Sequence, residues 1–264
     1  MLLHGWPDSV LRFQRVLPLL HDVHVVVPAL PGYPFSDAPG TAGARMAEPI
    51  LAALTALGHE RFVVSGGDIG TSVAEALARL APDRVAALHL TDVPSRGLAL
   101  VPEEDRSPAE RAFADDIRAW TDAEGAYMLE QATKPATLAV GLGDSPAGLA
   151  AWIVEKLRSW SDGDLETAFP RDDLLTWVTL YWVTGAIGTS FAPYAERMPP
   201  RTERVRVPTA VSLFPKDLLH APRELAERTF DVRIWDEQPS GGHFAAWERP
   251  EAFAAALRSA VALA

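Results

Sequence analysis

The reading turns on "VVSGGDIGTSVAEALARLAP", Val63 to Pro82. Two β-branched residues run into Ser65-Gly66-Gly67-Asp68-Ile69-Gly70, after which apolar residues recur at helical spacing. One use of Asp68 is ordinary: Asp is a good helix N-cap, accepting a backbone N–H in the first turn. The other is chemical. A turn of the form small-x-nucleophile-x-small between strand and helix holds its central side chain in a crowded backbone, and Gly66 and Gly70 supply the small flanks. There is no G-x-G-x-x-G fingerprint and no phosphate-loop Lys-Ser/Thr.

Outward from that turn, short β-rich runs alternate with longer helical patterns, which predicts a mostly parallel sheet with crossover helices. Strands are expected at Val23–Val27, Phe62–Ser65, Val85–Leu90, Pro208–Leu213 and Val232–Trp235, with a strand end at Met1–Leu3. Helices are expected at Gly43–Leu57, Thr71–Leu80 and Pro250–Ala262. The alternation breaks between Pro94 and Arg206, where the pattern is helical: Ser107–Thr121, Ala123–Gln131, Ala147–Trp160 and Asp172–Ile187. Punctuation such as "DSP", "SDGD" and "MPPRTERVRVP" separates these runs. The expectation is an α/β core in two parts, residues 1–95 and 206–264, split by a helical insertion over 96–205.

The totals narrow the classes of function. At 264 residues the chain suits one large domain with an insertion. A net charge of −11 without a Lys/Arg cluster argues against a nucleic-acid partner. With no cysteine there is no disulfide framework and no thiolate chemistry. No apolar run approaches the ~18 residues of a membrane span, and "MLLHGWPDS" lacks the regions of a signal peptide, so a cytoplasmic location is expected. The His21-x-x-His24 pair sits in a strand-like run, and no metal or other cofactor is expected.

Three further stretches join the turn. "HGWP", His4 to Pro7, reads as a tight cis-proline turn whose backbone N–H can point at a developing oxyanion. "LFPKDLLHAP" places Asp217 just beyond a late strand, and "SGGHFAAWERPEAF" places His243 in a Gly-rich loop after the last one. Nucleophile, acid, His is the chain order of α/β-hydrolases, and ligands of open α/β sheets bind beyond the carboxyl ends of the strands.

Asp rather than Ser at the centre changes the chemistry. A carboxylate with an ordinary pKa near ~4 is already ionised at neutral pH and can displace a leaving group from saturated carbon. The product is an ester that water, activated by His243 and supported by Asp217, can cleave. Two leaving groups fit: halide, or the oxygen of a strained epoxide. An epoxide oxygen needs a proton or strong hydrogen bonds as the ring opens, and tyrosine is a suitable donor. Tyr33, Tyr127, Tyr181 and Tyr194 are the four tyrosines, the last three in the insertion, and periodicity alone does not choose among those three.

With these residues assembled, the sequence resembles the microsomal-type branch of the epoxide hydrolase family. The matching stretches include "HGWP", "PALPGYPFSD", "GGDIG", "GAYMLEQATKP", "DDLLTWVTLYWVTGAIGTSFAPYAE", "FPKDLLHAP" and "GGHFAAWERPE", and they span nearly the whole chain. The resemblance implies an α/β-hydrolase core under a helical lid, with a small-molecule epoxide as substrate. It implies Asp68 as nucleophile, His243 with Asp217 as charge relay, and Tyr127 and Tyr194 as the pair holding the epoxide oxygen. Tyr181 would then be packing. Backbone N–H groups of Trp6 and Ile69 would form the oxyanion hole, and the same two residues would border the substrate. The family usually has Trp where this chain has Ile69, and it has strands ahead of the "HG" turn and an N-terminal segment around the lid. A shortened, less stable protein with an apolar sheet edge, possible as a homodimer and off the membrane, is therefore expected. Other classes left open are a haloalkane-type dehalogenase and an inactive hydrolase-like binding protein or fragment.

Overall fold

Runs of Val, Ala, Leu and Ile bounded by turn residues form five short strands: β1 (Leu2–Leu3), β2 (Phe62–Gly66), β3 (Val85–Leu90), β4 (Pro208–Leu213) and β5 (Asp231–Glu237). The computed structural model describes residues 1–196 and 203–264. The strands lie side by side in chain order, each parallel to the next. Parallel pairing puts all carboxyl ends on one edge, the physical reason residues far apart in sequence meet there. Every residue of β3 is buried, as a central strand covered on both faces requires.

Around the sheet, α1 (Ala47–Ala56) packs on α2 (Ile69–Leu80), which lies against β2 and contributes Val73, Ala74 and Leu77 to the main core. Near the chain end, α12 (Pro250–Val261) closes a second cluster, in which Phe253 and Leu257 meet Phe13, Val16, Leu20 and Phe214. The short helices α10 (Arg223–Thr229) and α11 (Ala245–Glu248) flank β5 and the loop that follows it.

Between β3 and β4 the described residues contain helices and no strand: α3 (Pro108–Glu124), α4 (Ala126–Thr133), α5 (Pro135–Asp144), α6 (Pro146–Ser159), α7 (Leu165–Ala168), α8 (Arg171–Thr184) and α9 (Ala192–Ala195). The first is started by a full capping box, Ser107 with Glu110, and the same buried Glu110 takes Arg228 of α10 at 2.6 Å. The indole N–H of Trp247 donates to Ala168 O at 2.9 Å, and its ring stacks on Phe169 at 5.5 Å. Burying two such rings is worth roughly 2–3 kcal/mol each and fastens this cap to the core. None of the described helices is by itself long and apolar enough to cross a membrane; α5 and α6 together are, but they meet at 114°.

The main departure from expectation is Val23–Val27, which forms no strand. Its tie to the sheet is one backbone bond, from Leu2 N–H to Val26 O at 2.9 Å, because β1 offers only two residues to pair with. A single bond is not a ladder, and along that edge Val25, Val26 and Val27 are half-buried while Val23 and His24 are exposed. Five helices were not expected: α5, α7, α9, α10 and α11, four of them seven residues or shorter, too brief for a clear period. The "MPPRTERVRVP" punctuation falls partly on 197–202, outside the described residues.

Candidate active site

The turn after β2 answers the question its sequence raised. Asp68 sits at φ 58°, ψ −126°, at the N-cap position of α2, yet its side chain caps nothing. Among the described residues only Asp68 and Phe35 are non-glycine residues with positive φ, a conformation that costs of order 1–3 kcal/mol. Its neighbours are small of necessity: a Cβ on Gly66 would lie 2.5 Å from Gly70 O, and one on Gly70 would lie 2.5 Å from Leu3 O. The turn is thereby pressed between its own helix and β1, and the carboxylate is thrown out beyond the strand ends.

There Asp68 Oδ1 accepts the backbone N–H of Trp6 at 2.9 Å, just ahead of a cis Trp6–Pro7 peptide. The N–H of Ile69 also favours the carboxylate's charge. The other oxygen, Oδ2, faces His243 Nε2 at 3.7 Å, and that nitrogen has no hydrogen-bond partner. His243 Nδ1 is 2.7 Å from Asp217 Oδ1, which also receives the N–H of Leu218 at 2.7 Å. Burial opposes charge on His243, but Asp217 and Asp68 outweigh it and its pKa is raised. Burial likewise opposes charge on Asp217, which His243 and its hydrogen bond hold below the usual carboxylate value. Burial raises Asp68, offset in part by His243 and by the N–H groups of Trp6 and Ile69.

Around the His loop the cap and core interlock. The N–H of His243 donates to Trp160 O at 2.8 Å, and Gly241 N–H to Asp162 Oδ2 at 2.8 Å. From below, buried Arg12 donates to His243 O and to Asp8 Oδ2, both at 2.5 Å. Burial works against the Asp8 carboxylate, yet Arg12 and His4 prevail and hold its pKa at about 2.

Over the elbow lies a cavity of about 330 Å³, bordered by Asp68, Ile69, Asp92, Trp120, Tyr127 and Tyr194 among others. Tyr127 and Tyr194 meet with ring centroids 5.9 Å apart. Burial keeps both phenols protonated by raising their pKa values. Tyr181 does not border this space; its hydroxyl donates to Asp8 O at 2.7 Å inside the core. Among the described residues no three His, Asp, Glu or Cys side chains are grouped so as to hold a metal ion.

Seven residues singled out in the sequence are thus gathered at one edge of the sheet. Trp6 needs one correction: its ring is fully buried, stacked on Tyr127 at 5.1 Å, so it reaches Asp68 through its backbone and does not border the cavity. Asp92 and Trp120 were missed. The rule that ligand sites lie beyond strand carboxyl ends points to Asp92, two residues past β3; nothing local distinguishes Trp120 within α3.

A family model described as the alpha/beta hydrolase fold matches residues 1–176. A protein of Stigmatella aurantiaca is 39% identical over 98% of this chain and 63% of its own length. Epoxide hydrolase 1 of Oryctolagus cuniculus is 34% identical over 96% of this chain and 66% of its own length. The solved structure of Aspergillus niger epoxide hydrolase superposes with a TM-score of 0.87 at 32% identity, covering 99% of this chain and 71% of that one. The chain belongs to the α/β-hydrolase fold family and, within it, to the epoxide hydrolases of the microsomal type. It spans just under two thirds of the length of the first curated relatives it matches.

Proposed function

We propose that this chain opens epoxides to vicinal diols through an ester on Asp68. The observation that carries the reading is a carboxylate, not a hydroxyl, on the strained elbow, with one oxygen held by the Trp6 N–H and the other left facing His243. Oδ2 attacks an epoxide carbon while Tyr127 and Tyr194 hold the ring oxygen and give it a proton. The ester then presents its carbonyl oxygen to the N–H groups of Trp6 and Ile69, which are in place for the oxyanion that water addition creates.

The charges supply the order of events. While Asp68 is anionic it helps keep His243 protonated, and esterification removes that charge. The imidazole then loses its proton more readily and becomes a base when a base is first needed. Asp217 holds its other nitrogen and stabilises the imidazolium formed as water is deprotonated.

The test is intact mass of His243→Gln protein after incubation with small epoxides and alkyl halides. A whole-epoxide mass increase mapping to Asp68 is expected. An alkyl adduct from halides alone would replace this reading with a dehalogenase. No adduct on folded, monodisperse protein would leave Asp68 without a nucleophilic role.

A further inference from the structure

The two half-reactions above leave one carboxyl of the site unused. Asp92 follows β3, and its Oδ1 accepts both the backbone N–H of Asp68, at 3.0 Å, and the hydroxyl of Thr71 in the first turn of α2. The residue before it is tied to the same turn, Thr91 N–H donating to Gly66 O at 3.1 Å. Asp92 also borders the cavity that Asp68, Tyr127 and Tyr194 border. Two carboxyl groups that border one cavity and share one turn do not both carry a charge easily.

The groups around Asp92 come from every element that meets there. Asp68 faces it from the elbow, the charge of Asp217, itself paired with His243, reaches it from the loop after β4, and the tyrosine pair of the cap borders the same cavity. Arg12 acts on Asp68 and Asp217 but is neutralised by Asp8, and Arg96, at the cavity rim, is paired with Glu75. Burial first, then the charges of Asp217 and Asp68, pushes Asp92 up to about 7, while its hydrogen bonds from Thr71 and Asp68 pull the other way.

Resting on the epoxide reading above, we propose that Asp92 is the proton store of the ring-opening half-reaction, protonated while Asp68 is anionic and ionised once Asp68 is an ester. The step balances within the site. Asp68 Oδ2 bonds to an epoxide carbon as that carbon's bond to the ring oxygen breaks. The oxygen takes the phenolic proton of the tyrosine pair, and the tyrosinate takes the proton of Asp92. One negative charge has moved from Asp68 to Asp92, and the net charge of the site is unchanged. Ester hydrolysis releases one proton as Asp68 is freed as a carboxylate, and Asp92 takes it back. Moving a charge between neighbours in a poorly solvated site costs far less than creating one there.

The test counts protons in the His243→Gln protein, which removes the other group whose proton esterification loosens. Forming the hydroxyl-ester from an anionic Asp68 and an epoxide consumes one proton, drawn from solvent if no store exists. In weakly buffered solution with an indicator, uptake per adduct, the adduct quantified by mass, should be about half a proton near pH 6.5. It should return to about one proton per adduct near pH 8.5, where Asp92 is ionised before and after the reaction. In His243→Gln/Asp92→Asn, whose amide oxygen still accepts the Asp68 N–H, uptake should be one at both pH values. Uptake of one throughout in the single variant overturns the proposal, even if the double variant fails to fold. A deficit that survives in the double variant also overturns it and assigns the store to Asp217. Absence of any adduct removes the epoxide reading itself, and this proposal with it.

Discussion

Two buried histidines, one within the sheet and one beyond its edge, show what lets an imidazole keep its charge. His89 lies within β3, in register with Ser65 on β2 and Ala210 on β4. Its ring nitrogens meet Ser65 Oγ at 2.9 Å and Ser212 Oγ at 3.3 Å, both neutral partners. Burial alone acts on its charge, and its pKa falls to about 4. His243 is as deeply buried, yet it lies past the end of β5 between Asp217 and Asp68, and its pKa is raised. Mid-strand, the backbone is committed to its ladder and the neighbours are apolar or small. At the carboxyl ends the loops are free to bring carboxylates in. Burial suppresses an imidazole's charge, and a fixed carboxylate restores it.

Substitutions can break that contrast, and the largest effect is expected at His243. His243→Gln should lower turnover by about 10⁴-fold while ester formation persists, measured as steady-state rate against adduct mass. His89→Gln should leave turnover within about threefold, since His89 touches no reacting group; a loss comparable to that at His243 would end the distinction. Asp217→Asn should cost about 10³-fold in turnover and shift the pH profile of ester hydrolysis to lower pH, as His243 loses the carboxylate that raises its pKa.

Stability should separate the two residues in the opposite sense. His89→Gln is expected to cost about 1–2 kcal/mol at pH 7, read from denaturant midpoints, through lost hydrogen bonds and packing. The pH dependence then follows from the direction of each shift. His89 is depressed from an ordinary 6.5 to about 4, so in that window the unfolded chain binds more protons and stability falls as pH falls. Relative to the variant, the wild-type protein should lose about 3 kcal/mol between pH 7 and pH 4. His243, raised above 6.5, stabilises the fold at lower pH, and that contribution fades as pH climbs through its raised value. Parallel stability curves for wild type and His89→Gln would show that burial does not suppress the charge on His89.

How much of this was legible depended on the range of the interaction involved. The elbow was readable because its requirement is local: a strand, two glycines at fixed spacing about Asp68, and a helix. Strands β3 and β4 ran between the residues predicted, since their apolar runs are bounded by sharp turn chemistry. Val23–Val27 misled because β-propensity says nothing about whether a neighbour is long enough to pair with. The ring of Trp6 misled for a similar reason: a backbone contact to Asp68 does not disclose which way the indole turns.

The sequence by itself determined the fold class, the chain order of Asp68, Asp217 and His243, and the chemistry open to a carboxylate on such a turn, because these depend on residue types at short, definite spacings. Only the tertiary structure decided that Trp160 O holds His243 in place and that Asp92 grips the backbone N–H of Asp68. Those contacts join residues from 24 to 83 positions apart, and their pKa consequences arise only when burial and neighbouring charge act on the same atom. No periodicity carries that information; it is set by how the cap closes over the ends of the strands.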